Sequence, residues 1–381
     1  MFARVATIAI LASSFVSAAP AAADVPLSKL GAGVKAPSTG TTNTSGYAEP
    51  MPAGFVQSPD YAVKSDFDFQ SLALALHQEW IELAIFRDGF EKFSLAEYQA
   101  ANLTADDMYL INFMADQEVG HSHVLSNLLG DNAPKSCTYK YPYSDVRSFL
   151  EFNIELTRFG ESGVYGFLEN LDNRADAQIL LQSITTEARQ QMVFRQLEGR
   201  FPMPVYFETG ITQSMAWTLL SQYIVSCPSQ PQNLTWTIFP HLNVTDTKPL
   251  SLTSGAGVSH NTTAFSAPGD TITLAWDAPG KKQGPYDQYT KKGAYATNSS
   301  SKYAGFVSQY NVTWVEINKT STYAGTVIQP GGGVFNLLPS DTAVNGTMFI
   351  VLASDNPHLT PANLSLINNY ITAGPALYAS G

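Results

Sequence analysis

Cysteine is almost missing from this chain: Cys137 and Cys227 are the only two among 381 residues. No cysteine follows Cys227, and His241, His260 and His358 are scattered, so the segment beyond it carries no copper site. Charge is scarce as well. Asp, Glu, Lys and Arg make up 14 % of the residues, with a formal net charge of -11. That balance argues against nucleic acid and against an anionic membrane as partners. Past the N-terminal segment no apolar run reaches the ~18 residues that a spanning helix needs. G-x-S-x-G is absent, and no Ser/His/Asp order suggests a hydrolase. Pro330-Gly-Gly-Gly333 lacks the following Lys-Ser/Thr and helix of a phosphate loop. The acids beyond Cys227 (Asp277, Asp287, Glu316, Asp341 and Asp355) are spread out, without the pairing a glycosidase uses.

What is present begins with a secretory pattern over residues 1–18. Arg4 supplies the positive start, Val5 to Val16 the apolar core, and Val16-Ser-Ala18 a small-residue cleavage site. Residues 19–64 are rich in Pro, Gly, Ser, Thr and Ala and read as a flexible arm. An even cysteine count in a secreted chain predicts one disulfide, Cys137 to Cys227. Ten Asn-x-Ser/Thr sequons, at Asn43, Asn102, Asn233, Asn243, Asn261, Asn298, Asn311, Asn318, Asn345 and Asn363, predict a glycosylated surface. These features predict a secreted protein, extracellular or in the cell wall.

Residues 65–227 read as helices. Thr104 caps a helix running to Leu129, with Gly130 as its stop. Met108, Ile111, Ala115, Glu118, Ser122, Leu125 and Leu129 form one stripe at intervals of three and four. Glu118 thus falls in the middle of a face that should be buried, and His121 lies one turn on. Before it, Asp66 to about Phe90 carries the stripe Leu72, Leu76, Glu79, Leu83, Phe86, Phe90, with Glu82 at its edge. After it, Asp145 to about Leu171 carries Glu161 among Leu150, Ile154, Val164 and Leu168. Ala175 to about Leu197 carries Glu187 among Leu180, Ile184, Phe194 and Leu197, and Gln190 stands where a histidine would complete a second Glu-x-x-His. Ile211 to Ile224 is a fifth, mostly apolar helix.

A buried unpaired carboxylate costs several kcal/mol, so one such residue is an accident or a local ion pair. Four at matching depth on four helices predict a meeting point: a four-helix bundle with an internal carboxylate site. The Gly130–Ser144 loop, at ~3.3 Å per residue, covers roughly 50 Å, more than the ~35 Å of a 24-residue helix. A long crossover is therefore allowed. From 228 to 381 Thr, Ser, Val, Tyr, Asn and Gly dominate. Thr271 to Trp276, Phe306 to Ile317 and Met348 to Ala353 read as strands of a β-sandwich-like domain. The expected class is α+β and multidomain.

The runs His77-Gln-Glu-Trp-Ile-Glu82, Asp116-Gln-Glu-Val-Gly-His121, Glu161-Ser-Gly-Val164 and Thr186-Glu-Ala-Arg-Gln-Gln-Met-Val-Phe-Arg-Gln196 resemble the ferritin-like family that includes desiccation-related proteins. With Phe201-Pro-Met-Pro-Val205 and the late Ala373-Gly-Pro-Ala-Leu-Tyr378, the chain is most similar to secreted fungal stress-response and late-sexual-development proteins. The resemblance implies that fold and a stress or developmental context, without an established reaction, so no catalytic residue is assigned. Carried over position by position, it implies metal ligands at Glu79, Glu118, His121, Glu161 and Glu187, with Glu82 and Gln190 as second choices. A carboxamide at Gln190 is a weaker ligand than imidazole for iron, manganese or zinc.

Two readings stand side by side. In one, the bundle binds one or two divalent ions, iron, manganese or zinc, and extends at most to a weak metal-dependent oxidase. In the other it is a non-enzymatic structural or cell-wall glycoprotein. There Arg87, Arg158, Arg189 and Arg195 neutralise the acids, and the β half faces a cell-wall or extracellular partner.

Overall fold

The computed structural model describes residues 61–229, 234–245, 256–279, 281, 300–331 and 346–381. The secretory pattern and most of the arm lie outside these residues, as do the sequons at Asn43, Asn233, Asn298 and Asn345.

Helix α1 (Asp66–Lys92) starts where Ser65 accepts from the Asp68 backbone amide, and α3 (Ala105–Leu129) starts at a capping box between Thr104 and Asp107. Between them lies a short helix that the stripe reading passed over, α2 (Leu95–Ala100). Its signal is a second capping box, Ser94 with Glu97, too short to show a periodicity. α4 (Val146–Tyr165) is capped by Asp145 and α5 (Arg174–Leu197) by Asn173.

The expectation that α4 runs to Leu171 is corrected: it stops at Tyr165. The segment at Ile211 crosses here, its amide donating to the Ser162 carbonyl. A Cβ at Gly166 would lie 1.7 Å from the Ile211 carbonyl oxygen, so only glycine admits that crossing. The fifth helix is likewise shorter than expected, α6 (Gln213–Ser221), because Ile224–Ser226 becomes strand β2 and pairs with β1 (Thr138–Tyr139) in the loop after α3.

That loop is a crossover along α1. The Trp80 indole donates to the Pro134 carbonyl, the Tyr143 hydroxyl to Asp88, and the Lys92 ammonium to the Tyr143 carbonyl. It returns the chain to the end of the bundle where α3 began, since Arg147 in the first turn of α4 donates to the Ala101 carbonyl before α3 and to Leu197 at the end of α5. α3 and α4 therefore run the same way, the topology with one long connection found in ferritin-like bundles. Cys137 in the crossover is disulfide-bonded to Cys227 behind α6, as expected.

Ten strands occur among the described residues, with three sheets, all pairs antiparallel. The first sheet is β1–β2. In the second, β10 (Ile371–Ala379), β9 (Thr347–Ala353), β5 (Tyr303–Ser308) and β6 (Asn311–Glu316) lie side by side. In the third the order is β3 (Leu242–Val244), β4 (Thr271–Trp276), β8 (Ala324–Ile328) and β7 (Asn318–Ser321). The single strand expected over Phe306–Ile317 is corrected to the hairpin β5–β6, which turns at Gln309, a non-glycine residue at φ 51.

Side chains alternate across a strand, and on β9 the two faces go to different cores. Met348, Ile350 and Leu352 join the core between the second and third sheets, while Phe349 and Val351 join the core of the helices. The run Thr347-Met-Phe-Ile-Val-Leu-Ala353 is apolar without alternation because both its faces are covered. Helical and β portions thus share apolar contacts inside one unit, Ser58–Gly381.

Candidate metal centre

α1, α3 and α5 each bring an acid from the stripe to one interior point. One ligand atom from each of Glu79, Glu118, His121 and Glu187 lies within 4.8 Å of all the others. His121 Nδ1 is the hub: it is 3.0 Å from Glu118 Oε2, 3.2 Å from Glu79 Oε2 and 3.8 Å from Glu187 Oε1. The carboxylates are sealed from solvent, and the His121 side chain is 13 % exposed.

The far side of the ring is fixed too. Nε2 lies 3.0 Å from the Thr186 hydroxyl, which gives its own proton to the Ser183 carbonyl at 2.7 Å. Thr186 must then accept from Nε2–H, leaving Nδ1 to face the acids. This is how a partner behind a histidine selects the nitrogen offered to an ion.

The electrostatics are those of a cation site holding one proton-borne charge. Burial opposes a charge on His121, yet Glu79 and Glu118 outweigh it and lift its pKa to about 11. Burial raises Glu79 to about 8 against the pull of His121. Glu187 is pushed well above the carboxylate range by burial and then by Glu79 and Glu118. Glu118 ends below its ordinary value: burial acts against its charge, but hydrogen bonds and charge from His121, and the Gln190 amide, outweigh that. Glu187 Oε2 and Gln190 Oε1 are buried without a hydrogen-bond partner.

Two of the expected ligands stand differently. Glu161 does not enter the four-residue group. Its Oε2 is 2.6 Å from Arg158 Nη1, and the same guanidinium holds Glu208 from the loop after α5. Burial raises Glu161 to about 8, with Arg158 pulling the other way. Gln190 meets the site as a donor, its Nε2 2.6 Å from Glu118 Oε1.

Glu82 borders the group. It is fully buried, accepts from the Gln78 amide at 2.8 Å, and lies close enough to Glu187, Glu118 and Glu79 for their charges to raise it well above its ordinary value, after burial. It lies at the edge of the α1 stripe, and α1 packs against α3, α4 and α6, so more than one of its faces is inside. Of the arginines weighed as neutralisers, Arg158 takes that role, whereas Arg195 donates to the Phe201 and Gly381 carbonyls.

The donor set, carboxylate oxygens with one imidazole, suits manganese, iron or zinc. The orphaned oxygens supply unused coordination, so the residues present fit such an ion.

Comparison with known proteins agrees with this architecture. The ferritin-like domain family matches residues 65–200, which span α1 to α5. Protein rds1 of Schizosaccharomyces pombe (strain 972 / ATCC 24843) is 45% identical over 355 residues, covering 87% of each chain. Among the described residues no helix is long and apolar enough to cross a membrane. With a relative matched along most of both chains, and a helical bundle whose one long crossover is that of ferritin-like folds, this chain belongs to the ferritin-like family.

Proposed function

We propose that the bundle binds a single divalent cation through Glu79, Glu118, Glu187 and His121 Nδ1. The observation that carries this is the convergence of three buried acids from three helices on one imidazole whose other nitrogen is already engaged by Thr186. An ion there neutralises charge that the protein otherwise suppresses by protonation. A second ion lacks its ligands: Arg158 stands against Glu161 as an internal cation, and Gln190 offers an amide in place of imidazole.

The rival reading, in which each acid is held by its own guanidinium, describes Glu161 alone among the expected ligands. Within the four-residue group the ion pairs run to His121.

We further read the protein as secreted and glycosylated, with a stress or developmental role. The disulfide supports secretion, since such bonds persist in oxidising compartments. The sequon asparagines Asn102, Asn243, Asn261 and Asn318 are exposed, and Asn311 and Asn363 half-buried. The stress or developmental role rests on the family resemblance.

The test is elemental analysis of the purified protein after exposure to manganese, iron or zinc salts. One ion per chain is expected, lost in Glu118→Gln and retained in Glu161→Gln. Equal loss in both variants, or no bound metal in a folded chain, would sink the reading.

A further inference from the structure

A cleft with a volume of about 540 Å³ opens where the end of α4, the loop after α5 and the β5–β6 hairpin meet. It lies outside the carboxylate cluster, and its size is that of a small-molecule site, ~300–1,000 Å³. Four aromatic side chains stand in its walls: Tyr165, Tyr206, Phe207 and Tyr310. Tyr206 is 76% and Phe207 42% exposed, far more than rings of that size usually are in a loop beside a core.

This wall is held in place rather than draped. Gln309, at φ 51, sits at the hairpin tip, in a backbone region that costs a non-glycine residue energy. Its side-chain oxygen accepts the amides of Tyr206 at 3.1 Å and Phe207 at 3.2 Å, and its own amide donates to Thr209 at 2.6 Å. A strained residue therefore fixes the backbone that presents Tyr206 and Phe207 to the cleft. Phe207 is further set by an edge contact with Tyr310, centroids 4.7 Å apart.

Charge narrows the ligand. Among the described residues no lysine, arginine or histidine lines the cleft, which disfavours phosphate, sulfate and carboxylate ligands. Glu208 reaches the cleft, but Arg158 behind it already compensates its charge, so a cationic ligand is not required either. What remains is aromatic faces beside neutral hydrogen-bonding groups: the tyrosine hydroxyls and Thr360, with Glu208 and the exposed Glu169 as acceptors. Tyrosine combines an apolar body with a polar tip. A sugar ring has the complementary division, a face of C–H bonds and a rim of hydroxyls.

We propose that this cleft is a binding site for a short neutral oligosaccharide, stacked on Tyr206 and Phe207 and hydrogen-bonded along Thr360 and Glu208. The site works without the metal centre, so the two stand or fall separately.

The experiment uses full-length protein secreted into a bacterial periplasm, where the disulfide forms and Asn311 on the rim carries no glycan. Calorimetric titration with laminaritriose, chitotriose and mannotriose should show one of them binding with a dissociation constant below about 1 mM. Tyr206→Ala should weaken it at least tenfold with an unchanged thermal midpoint, because the ring is largely exposed. Gln309→Asn tests the clamp: asparagine tolerates the positive φ but is one methylene too short to reach both amides, and binding should fall severalfold. Three results would overturn the assignment: none of the trisaccharides binds at about ten times that concentration, binding is indifferent to Tyr206→Ala, or choline occupies the cleft in preference to them, which would make it a cation cage.

Discussion

Cation binding at the bundle centre should expel protons, and their number follows from the geometry. At pH 6.5 the ion-free site carries a proton on His121, held up to about 11, one on Glu79, held up to about 8, and one on Glu187, held well above the carboxylate range; Glu118 is ionised. Coordination through Glu79, Glu118, Glu187 and His121 Nδ1 needs the first three gone. Each proton displaced makes the apparent affinity rise about tenfold per pH unit, or ~1.4 kcal/mol. Two to three protons therefore predict roughly a 10²- to 10³-fold gain per unit between pH 5.5 and 7.5. Above about pH 8 Glu79 ionises unaided and the slope should drop by one. The assay is calorimetric titration with Mn²⁺ in two buffers of different ionisation enthalpy, which counts protons directly. Glu187→Gln should lower the count by one, while Glu161→Gln, outside the group, should leave it alone. A count below one, or affinity indifferent to pH, would show that the four residues do not bind the ion together.

Buried acids inside and outside that group set the stability of the ion-free protein. A carboxyl whose folded pKa is raised contributes stability that is complete below its unfolded value and lost as pH rises through the folded one. Glu79 and Glu161 at about 8, with Glu155 and Glu198 at about 7, all work in one direction. The thermal midpoint without metal should fall from pH 5 to pH 8, and saturating Mn²⁺ should oppose the fall; a midpoint that rises over this range would contradict the burial. Arg158→Met should leave Glu161 Oε2 without its buried donor and cost about 1–3 kcal/mol in denaturant unfolding, with Arg158→Met/Glu161→Gln recovering part of it. Cys137→Ser opens a link spanning 90 residues and should cost about 4–5 kcal/mol in the chain-entropy account, read as a lower denaturant midpoint with a slope that rises as the unfolded chain expands. Gly166→Ala places a methyl into the Ile211 backbone and should cost more than the ~1–3 kcal/mol of ordinary overpacking, or prevent folding.

How much of the site could be read beforehand differs from residue to residue. Glu79, Glu118 and Glu187 were legible because each interrupts an apolar stripe, and a stripe maps onto a buried face when a helix has one such face. α1 has more than one, so Glu82 is fully inside although it lies only at the edge of the stripe. Glu161 shows the reverse. Its place in the stripe correctly implied burial, and Arg158, three residues before it, was in view, but a spacing of three is as common on a solvated surface as inside. What commits Arg158 inward is Glu208, fifty residues on, brought alongside by the loop after α5.

The amino-acid sequence by itself settled where the long helices begin, since caps are local signals, and that acids from different helices share one depth. It also settled that a crossover was long enough to return the chain along the bundle. Only the tertiary structure decided which acids meet, which one is diverted to an arginine, and that β9 is covered on both faces. The cleft under Gln309 belongs to the same class. Its walls come from segments far apart in sequence, and no local pattern records a contact whose partners become neighbours only when both cores have formed.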